Sequence, residues 1–343
     1  VGGEFTSFFD VLDARSIPAG GLFKLNADGS PDTAFNSALG TGAALQSSAG
    51  VVNAIALRAN GGVLVGGAFD NWNSQAASNV VLLNSAGAPD ATFLQNTVGR
   101  FIGGYAGGYT EVLAVAEQGN GNLLIGGQFT SFSNSQASNV VSLMPDGTVD
   151  AGFNPQCATA CGFNDGVVRS IAVLGSGQMV VGGNFGSYNG QNGMGLVRLN
   201  ADGRRDGSFL TSQIGGYAWA IQPQPDGRLV VAGYASDPMG VTTGRGLIKR
   251  LQANGALDTS FASGSGFDTA VNALALLPDG SLLAGGLFAS YDVAASPVRG
   301  LAHLIKGTAQ VSGVRSALLG AAAERSWQPL PAVGTGGGVY RTL

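Results

Sequence analysis

The stretch "LNADGSPDTAF" (25–35) returns four times, as "LNSAGAPDATF" (83–93), "LMPDGTVDAGF" (143–153), "LNADGRRDGSF" (199–209) and "LQANGALDTSF" (251–261). All copies share a Leu, a Gly four residues on, an Asp seven on and a Phe ten on. An Asp-Gly or Asn-Gly step between apolar runs marks a tight turn, because glycine enters positive φ without steric cost. The frame therefore predicts a Leu that ends a strand pointing inward and a Gly that turns the chain. The later Asp should accept N–H groups of the turn, and the Phe should pack beneath it. Ala86 and Asn254 replace the turn Asp in two copies, whereas the later Asp (Asp32, Asp90, Asp150, Asp206, Asp258) and the Phe (Phe35, Phe93, Phe153, Phe209, Phe261) do not vary.

A second pattern interleaves with this corner: an apolar strand, a turn, then a strand ending in two glycines and an aromatic ring. It reads "VVNAIALRANGGVLVGGAF" (51–69), "EVLAVAEQGNGNLLIGGQF" (111–129), "VVRSIAVLGSGQMVVGGNF" (167–185), "AWAIQPQPDGRLVVAGYA" (218–235) and "AVNALALLPDGSLLAGGLF" (270–288), with "VGGEF" (1–5) as the tail of another. Period-two alternation of apolar residues predicts strands, and no helix-length stripe of period 3.6 occurs inside a unit. A small sheet cannot bury both faces alone, so neighbouring units must stack; radially repeated antiparallel sheets make a propeller. The glycine pairs fit, since a residue without Cβ lets another backbone approach closely within a sheet.

Composition supports a folded chain with few charges. Charged residues are 11% of the 343 and glycines number 57, against usual figures of about 25% charged and about 7% glycine. Hydrophobic residues reach 45%, which argues against disorder. The net charge of -4 leaves no basic face for a phosphate backbone, so nucleic acid is not an expected partner. The richest apolar runs, "ALALL" (273–277) and "ALLGAAA" (317–323), fall far short of the roughly 18 residues that span a bilayer, so membrane insertion is not expected. The opening "VGGEF" reads as the middle of a motif, and any targeting peptide would be removed or lie outside this sequence.

The residues resemble the delta-sixty repeat proteins, a bacterial and largely secreted or surface-exposed family whose units read like "GG-x-F … L-x-R-L-N-x-D-G-x-x-D-x-x-F". The stretch "VGGNFGSYNGQNGMGLVRLNADGRRDGSF" (181–209) carries the resemblance best, and it extends over about residues 1–306. It implies a bacterial β-propeller and attaches no reaction or substrate. The fourth unit departs, with "VAGYA" at the glycine corner.

The expected fold is thus an all-β propeller of six blades, mostly of four antiparallel strands, in residues 1–306, followed by a tail in 307–343. The tail stretch "VRSALLGAAAER" (314–325) aligns with "VRSIAVLGSGQ" (168–178). It offers the first strand of a blade whose second strand begins at Val1, which closes the ring and removes an open edge. A short helix over 314–325, or a seventh blade begun by "GGGVYRTL" (336–343), is the rival reading.

Candidate chemistry is sparse. Three residues after the corner aromatic a second ring follows, pairing Phe5 with Phe8, Phe69 with Trp72, Phe129 with Phe132, Phe185 with Tyr188 and Phe288 with Tyr291. With polar neighbours as in "NWNSQ", the second rings Phe8, Trp72, Phe132, Tyr188 and Tyr291 are candidates to stack on sugars; inter-blade packing is the plainer reading. Asn26, Asp28 and Asp32, and again Asn200, Asp202 and Asp206, are spaced like part of a calcium loop, although hard cations want six to eight oxygens and an Asp-capped turn explains the same residues. No cofactor is otherwise expected. Asp10, Asp13, Asp70, Asp237 and Asp292 are the acids a glycosidase or lyase could draw on. The single histidine, His303, lies in a strand pattern and reads as structural. Cys157 and Cys161 cannot complete a zinc site without further ligands; a disulfide closing a small loop is expected, which points to an oxidising compartment. The sum is a non-catalytic secreted or cell-surface module that binds protein, including further copies of itself; a glycan-binding lectin or polysaccharide-cleaving enzyme is the alternative.

Overall fold

A computed structural model describes residues 1–304 except 11–14, 47, 105–108, 134, 136, 155–160, 165, 212–213, 237–241, 262–263, 265, 292–295 and 298–299, and in addition 311–312 and 339–341. The all-β reading holds. Five antiparallel sheets run in chain order, each built on three strands, with a fourth at the edge of the first and of the fifth. The first holds Val51–Leu57, Val63–Ala68 and Val80–Leu83. The second holds Glu111–Glu117, Leu123–Gln128 and Val140–Leu143, and the third Val167–Val173, Met179–Asn184 and Leu196–Leu199. The fourth holds Gly216–Pro223, Leu229–Ser236 and Thr242–Leu251, and the fifth Val271–Leu276, Leu282–Gly286 and Leu301–Leu304. Before them, Val1–Gly3 runs beside Gly21–Phe23 as the second and third strands of a further unit would, with Gly3 N–H donating to Gly21 at 2.8 Å and Phe23 N–H to Val1 at 2.9 Å.

Two expectations need correction. Mostly four strands per sheet were expected; among the described residues the first and fifth sheets have four and the second, third and fourth have three. The corner turns the chain back after a single bridge (Leu83 with Pro89, Leu143 with Val149, Leu199 with Arg205, Leu251 with Leu257). Its Asp then gives its N–H to the third strand, as Asp90 does to Leu82 at 2.8 Å, and its side chain caps whatever follows. After the fifth sheet, whose sequence lacks the corner, a fourth strand, Val311–Ser312, pairs with His303–Leu304. No helix was expected between units, yet Thr33–Leu39 and Ala91–Thr97 are helical. Each starts at the corner Asp, whose carboxylate accepts from the Phe N–H at 3.1 Å (Asp32) and 2.9 Å (Asp90). Seven residues are too few for a periodic stripe to register, so the cap was the only sequence signal. Asp90→Ala should cost about 1 kcal/mol, read as a lower urea midpoint at unchanged m-value; an unchanged midpoint would show that packing of Phe93 holds the helix unaided.

Contacts divide the chain into two units, Val1–Leu25 with Pro31–Ser212 and Gly337–Thr342, and Asn26–Ser30 with Gln213–Gly336 and Leu343. In the first unit, alternation sends successive residues of one strand into different cores. Val63 and Val65 join Leu22, Val52 and Trp72, while Leu64 between them joins Val112, Val115 and Ile125 of the next sheet. Leu124 in turn joins Val168, Ile171 and Val181 of the third. In the second unit Val230 and Ala232 meet Val271, Leu282 and Ala284 of the fifth sheet. The second strands are therefore buried on both faces, which is why their sequence reads as continuous apolar runs. At about 1.5–3 kcal/mol per buried aliphatic side chain, these shared cores hold one sheet to the next.

The glycine pair has two separate tasks. In every sheet the first strand carries a bulge opposite the second glycine, as between Val112 and Ala114 facing Gly127. A β-carbon on Gly127 would stand 2.1 Å from the Glu111 carbonyl oxygen. One on Gly126 would stand 2.5 Å from Val168 Cγ1, a side chain of the next sheet. The second glycine admits the bulge; the first admits the neighbouring sheet.

The expected ring-closing stretch 314–325 lies outside the described residues. Val339–Arg341 pairs antiparallel with Ala54–Ala56.

Candidate functional site

The corner motif is built the same way each time. Gly147 N–H donates to the Met144 carbonyl at 2.9 Å and Met144 N–H to Thr148 at 2.7 Å, with Gly147 at φ 88°. The carboxylate of the later Asp accepts from the chain two or three residues on: Asp150 from Gly152 N–H at 2.9 Å, Asp206 from Ser208 N–H at 2.9 Å and Asp258 from Ser260 N–H at 3.1 Å.

One position of this motif had no role assigned from the sequence. The position before the corner Leu carries a cation in three copies, and it is clamped between the Asp and the Phe. Arg250 Nε lies 2.7 Å from Asp258 and its guanidinium 4.9 Å from the Phe261 ring centre. Arg198 lies 2.7 Å from Asp206 and 4.7 Å from Phe209; Lys24 lies 2.8 Å from Asp32 and 4.8 Å from Phe35. In the second sheet Ser142 takes this place and donates to Asp150 at 3.1 Å, helped by Asn122 at 2.8 Å. The Ser208 hydroxyl, with Arg198, holds the Asp206 carboxyl down to about 2. Ser260, with Arg250 and Arg228, likewise depresses that of Asp258.

This chemistry also decides the calcium candidates. Asp28 accepts from Ser30 N–H and Oγ at 2.9 and 2.6 Å, and Asn26 Nδ2 donates to Ser30 Oγ at 3.0 Å. Asp32 faces Lys24, and Asp202 faces Arg204 at 2.8 Å. Asp206 faces Arg198 and Gln178, and Asn200 accepts from the same Gln178 amide at 3.1 Å. Oxygens aimed at N–H, O–H and cationic groups do not form a cation cage; the spacing that resembled one serves the turn.

Of the two readings of the loop aromatics, sugar platform and inter-blade packing, their burial favours packing. Trp72, Phe132 and Tyr188 are at most 1% exposed and Tyr291 5%, so they present no free ring face. Each belongs to a ring cluster at the hairpin joining second and third strands. Phe69 meets Trp72 edge-on at 5.6 Å. In three sheets a third ring enters from the preceding connection: Phe101 lies 5.0 Å from Phe129 and 4.8 Å from Phe132, Phe163 lies 4.2 Å from Phe185 and 4.6 Å from Tyr188, and Phe267 lies 4.3 Å from Phe288 and 4.8 Å from Tyr291. Half-buried Phe8 stacks on Phe23 at 4.4 Å. Phe101, Phe163 and Phe267 escape a sequence reading because the connections that carry them differ in length. The Tyr188 hydroxyl donates to the Gly203 carbonyl at 2.6 Å, and burial pushes its phenol up.

The two described candidate acids each have partners of their own. Asp10 lies 3.9 Å from Arg15, Asp70 accepts from Gln46 N–H at 3.0 Å and Asn71 at 2.7 Å, and Asp13, Asp237 and Asp292 lie outside the described residues. His303 shares a hydrogen bond of 2.8 Å with Ser281 Oγ. Cys161 is among the residues lining an open cavity of about 330 Å³ with Val140, Ser142, Val149, Asp150 and Phe153; Cys157 lies outside the described residues. No described helix is long and apolar enough to cross a membrane.

A family model described as a domain of unknown function (DUF5122) β-propeller matches residues 1–35, 58–93, 118–153, 174–209 and 224–261, every match ending on or beside a corner Phe. No curated protein matches the sequence. Among solved structures, a protein of unknown function from Bacteroides caccae is 13% identical at TM-score 0.40, over 76% of this chain and 80% of that one. PorZ, a surface component of the type-IX secretion system of Porphyromonas gingivalis, is 12% identical at TM-score 0.44, over 82% of this chain; the alignment spans 36% of PorZ. YCF48 bound to D1 peptide is 12% identical at TM-score 0.37, over 76% of this chain and 67% of that one.

Proposed function

Because the chain belongs to the DUF5122 β-propeller family, we propose that it is a non-catalytic binding and assembly module working outside the cell or on its surface. One observation supports this reading above the others. The corner acids and the described loop rings are engaged in holding turns and sheets together, as in the Arg250–Asp258–Phe261 clamp and the Phe163–Phe185–Tyr188 cluster. What remains outward is largely uncharged and polar, a surface that resists association less than a highly charged one. Within the same reading the propeller has six blades, the delta-sixty resemblance describes its repeat, and Cys157 and Cys161 form a disulfide suited to an oxidising compartment.

Two measurements test it. Purified protein is expected to release no reducing ends from polysaccharides and to retain nothing on a glycan array, while cross-linking on intact cells recovers a protein partner or further copies of the chain. Polysaccharide turnover that is lost on Asp70→Asn would overturn the reading. For the compartment, alkylation without reductant should label neither cysteine; labelling of both in protein taken from its native host would argue against an oxidising location.

A further inference from the structure

We propose that Arg205 is an anchor for a carboxylate on an acidic segment of a partner protein. The inference rests on the binding-module reading and names the chemistry of the partner. In every corner the residue six after the Leu bridges back to it: Leu25 with Pro31, Leu83 with Pro89, Leu143 with Val149, Leu199 with Arg205 and Leu251 with Leu257. Four of these bridging residues are apolar, and the third sheet has an arginine in their place.

Arg205 breaks the pattern without gaining an acid of its own. Both acids of its corner are taken, Asp202 by Arg204 at 2.8 Å and Asp206 by Arg198 at 2.7 Å. Among the described residues Arg205 makes no ion pair. Its Nη1 donates to Gln191 Oε1 at 3.4 Å, and its Nε–H is shielded from solvent with no acceptor. A shielded N–H left unbonded is a cost to the folded state. A residue that departs from the frame of its own repeats at such a cost is where a function is expected.

Charge selects the occupant. Residues 198–209 hold Arg198, Arg204 and Arg205 against Asp202 and Asp206, a net +1. No other corner is positive: Lys24 stands against Asp28 and Asp32, the stretch 82–93 holds only Asp90, 142–153 holds Asp146 and Asp150, and Arg250 is matched by Asp258. In a chain of net charge -4, this corner is the one of the five that attracts an anion. Arg204 and Gln191 are exposed and Arg205 is half-buried. A guanidinium takes a carboxylate through two parallel N–H···O bonds. Turning the long side chain outward onto such a group satisfies Nε and gives up only the 3.4 Å bond to Gln191.

The test is a titration of the isotope-labelled full chain with the peptide Gly-Glu-Asp-Glu-Gly, and with Gly-Gln-Asn-Gln-Gly as the neutral control. A saturable shift of the Arg205 Nε–H signal is expected with the acidic peptide alone. Arg205→Lys, which keeps the charge and loses the fork, should weaken binding more than about tenfold. Arg205→Leu, with the residue type of Leu257, should abolish binding at an unchanged or higher melting temperature. A lower melting temperature for Arg205→Leu shows that the arginine serves the fold and overturns the inference, as do equal shifts with the neutral peptide or with acetate at the same carboxylate concentration. Shifts that grow with protein concentration alone identify a second copy as the source of the carboxylate and overturn a separate partner. Recovery of a partner on cells while the acidic peptide leaves Arg205 unmoved removes this inference and leaves the binding-module reading standing.

Discussion

Gly127→Ala is expected to destabilise the protein by more than about 3 kcal/mol, beyond the usual range for overpacking. The new methyl would lie 2.1 Å from the Glu111 carbonyl oxygen and 2.9 Å from Val112 Cα. Both obstacles are backbone and cannot rotate away, so the bulge facing the glycine must open. Two neighbours grade the effect. Gly126→Ala meets Val168 Cγ1 at 2.5 Å and Ile171 Cδ1 at 3.0 Å; side chains can shift, and a loss of about 1–3 kcal/mol is expected. Gly119→Ala, in the turn of the same hairpin, meets nothing within 4 Å and should be neutral or stabilise by up to about 1 kcal/mol through the unfolded chain. Equal melting temperatures for Gly127→Ala and Gly119→Ala would show that the bulge is not a rigid feature.

Arg250→Ala is expected to cost about 3–5 kcal/mol, the range for removing one partner of a buried ion pair. Arg250 and Asp258 have side chains only 7% and 5% exposed, and Arg228 at 3.1 Å from Asp258 sets the lower end by sharing the charge. The same change at Lys24, where the cation is 46% exposed, should cost no more than about 1 kcal/mol. Acid should act through the same clamps. The Asp206 carboxyl is held to about 2 in the folded protein, against about 3.9 when unfolded. The unfolded state therefore binds more protons in that interval, and the stabilisation present above about pH 4 is lost as pH falls toward 2. A melting temperature that stays level from pH 5 to pH 2 would contradict the clamp.

Much of the fold was legible because the chain repeats itself. The turn glycines, the inward Leu and the capping Asp follow from local rules that hold for each copy alone, and repetition made chance an implausible explanation. What could not be read is whatever joins one copy to another. Phe153 predicts a buried ring, but nothing local says that it lies on Gly203, fifty residues on. Polar loops left Trp72 and Tyr188 with two readings, sugar stacking or packing; burial was decided by rings such as Phe163 arriving from connections with no fixed spacing. The calcium-like spacing left two readings for a related reason. Oxygen donors in a row suit a cation or a turn equally, and only the partners, Lys24, Arg198 and Ser30, tell which.

That the repeated corner exists to join one sheet to the next is tested most directly by hydrogen exchange on Phe153→Ala. Faster exchange is expected at the Asn200 and Gly203 amides, which close the turn of the following copy, with the Met144 and Gly147 amides of the altered copy protected as before. Exchange that quickens at Met144 and Gly147 and leaves Asn200 and Gly203 untouched would show that each corner serves only its own sheet.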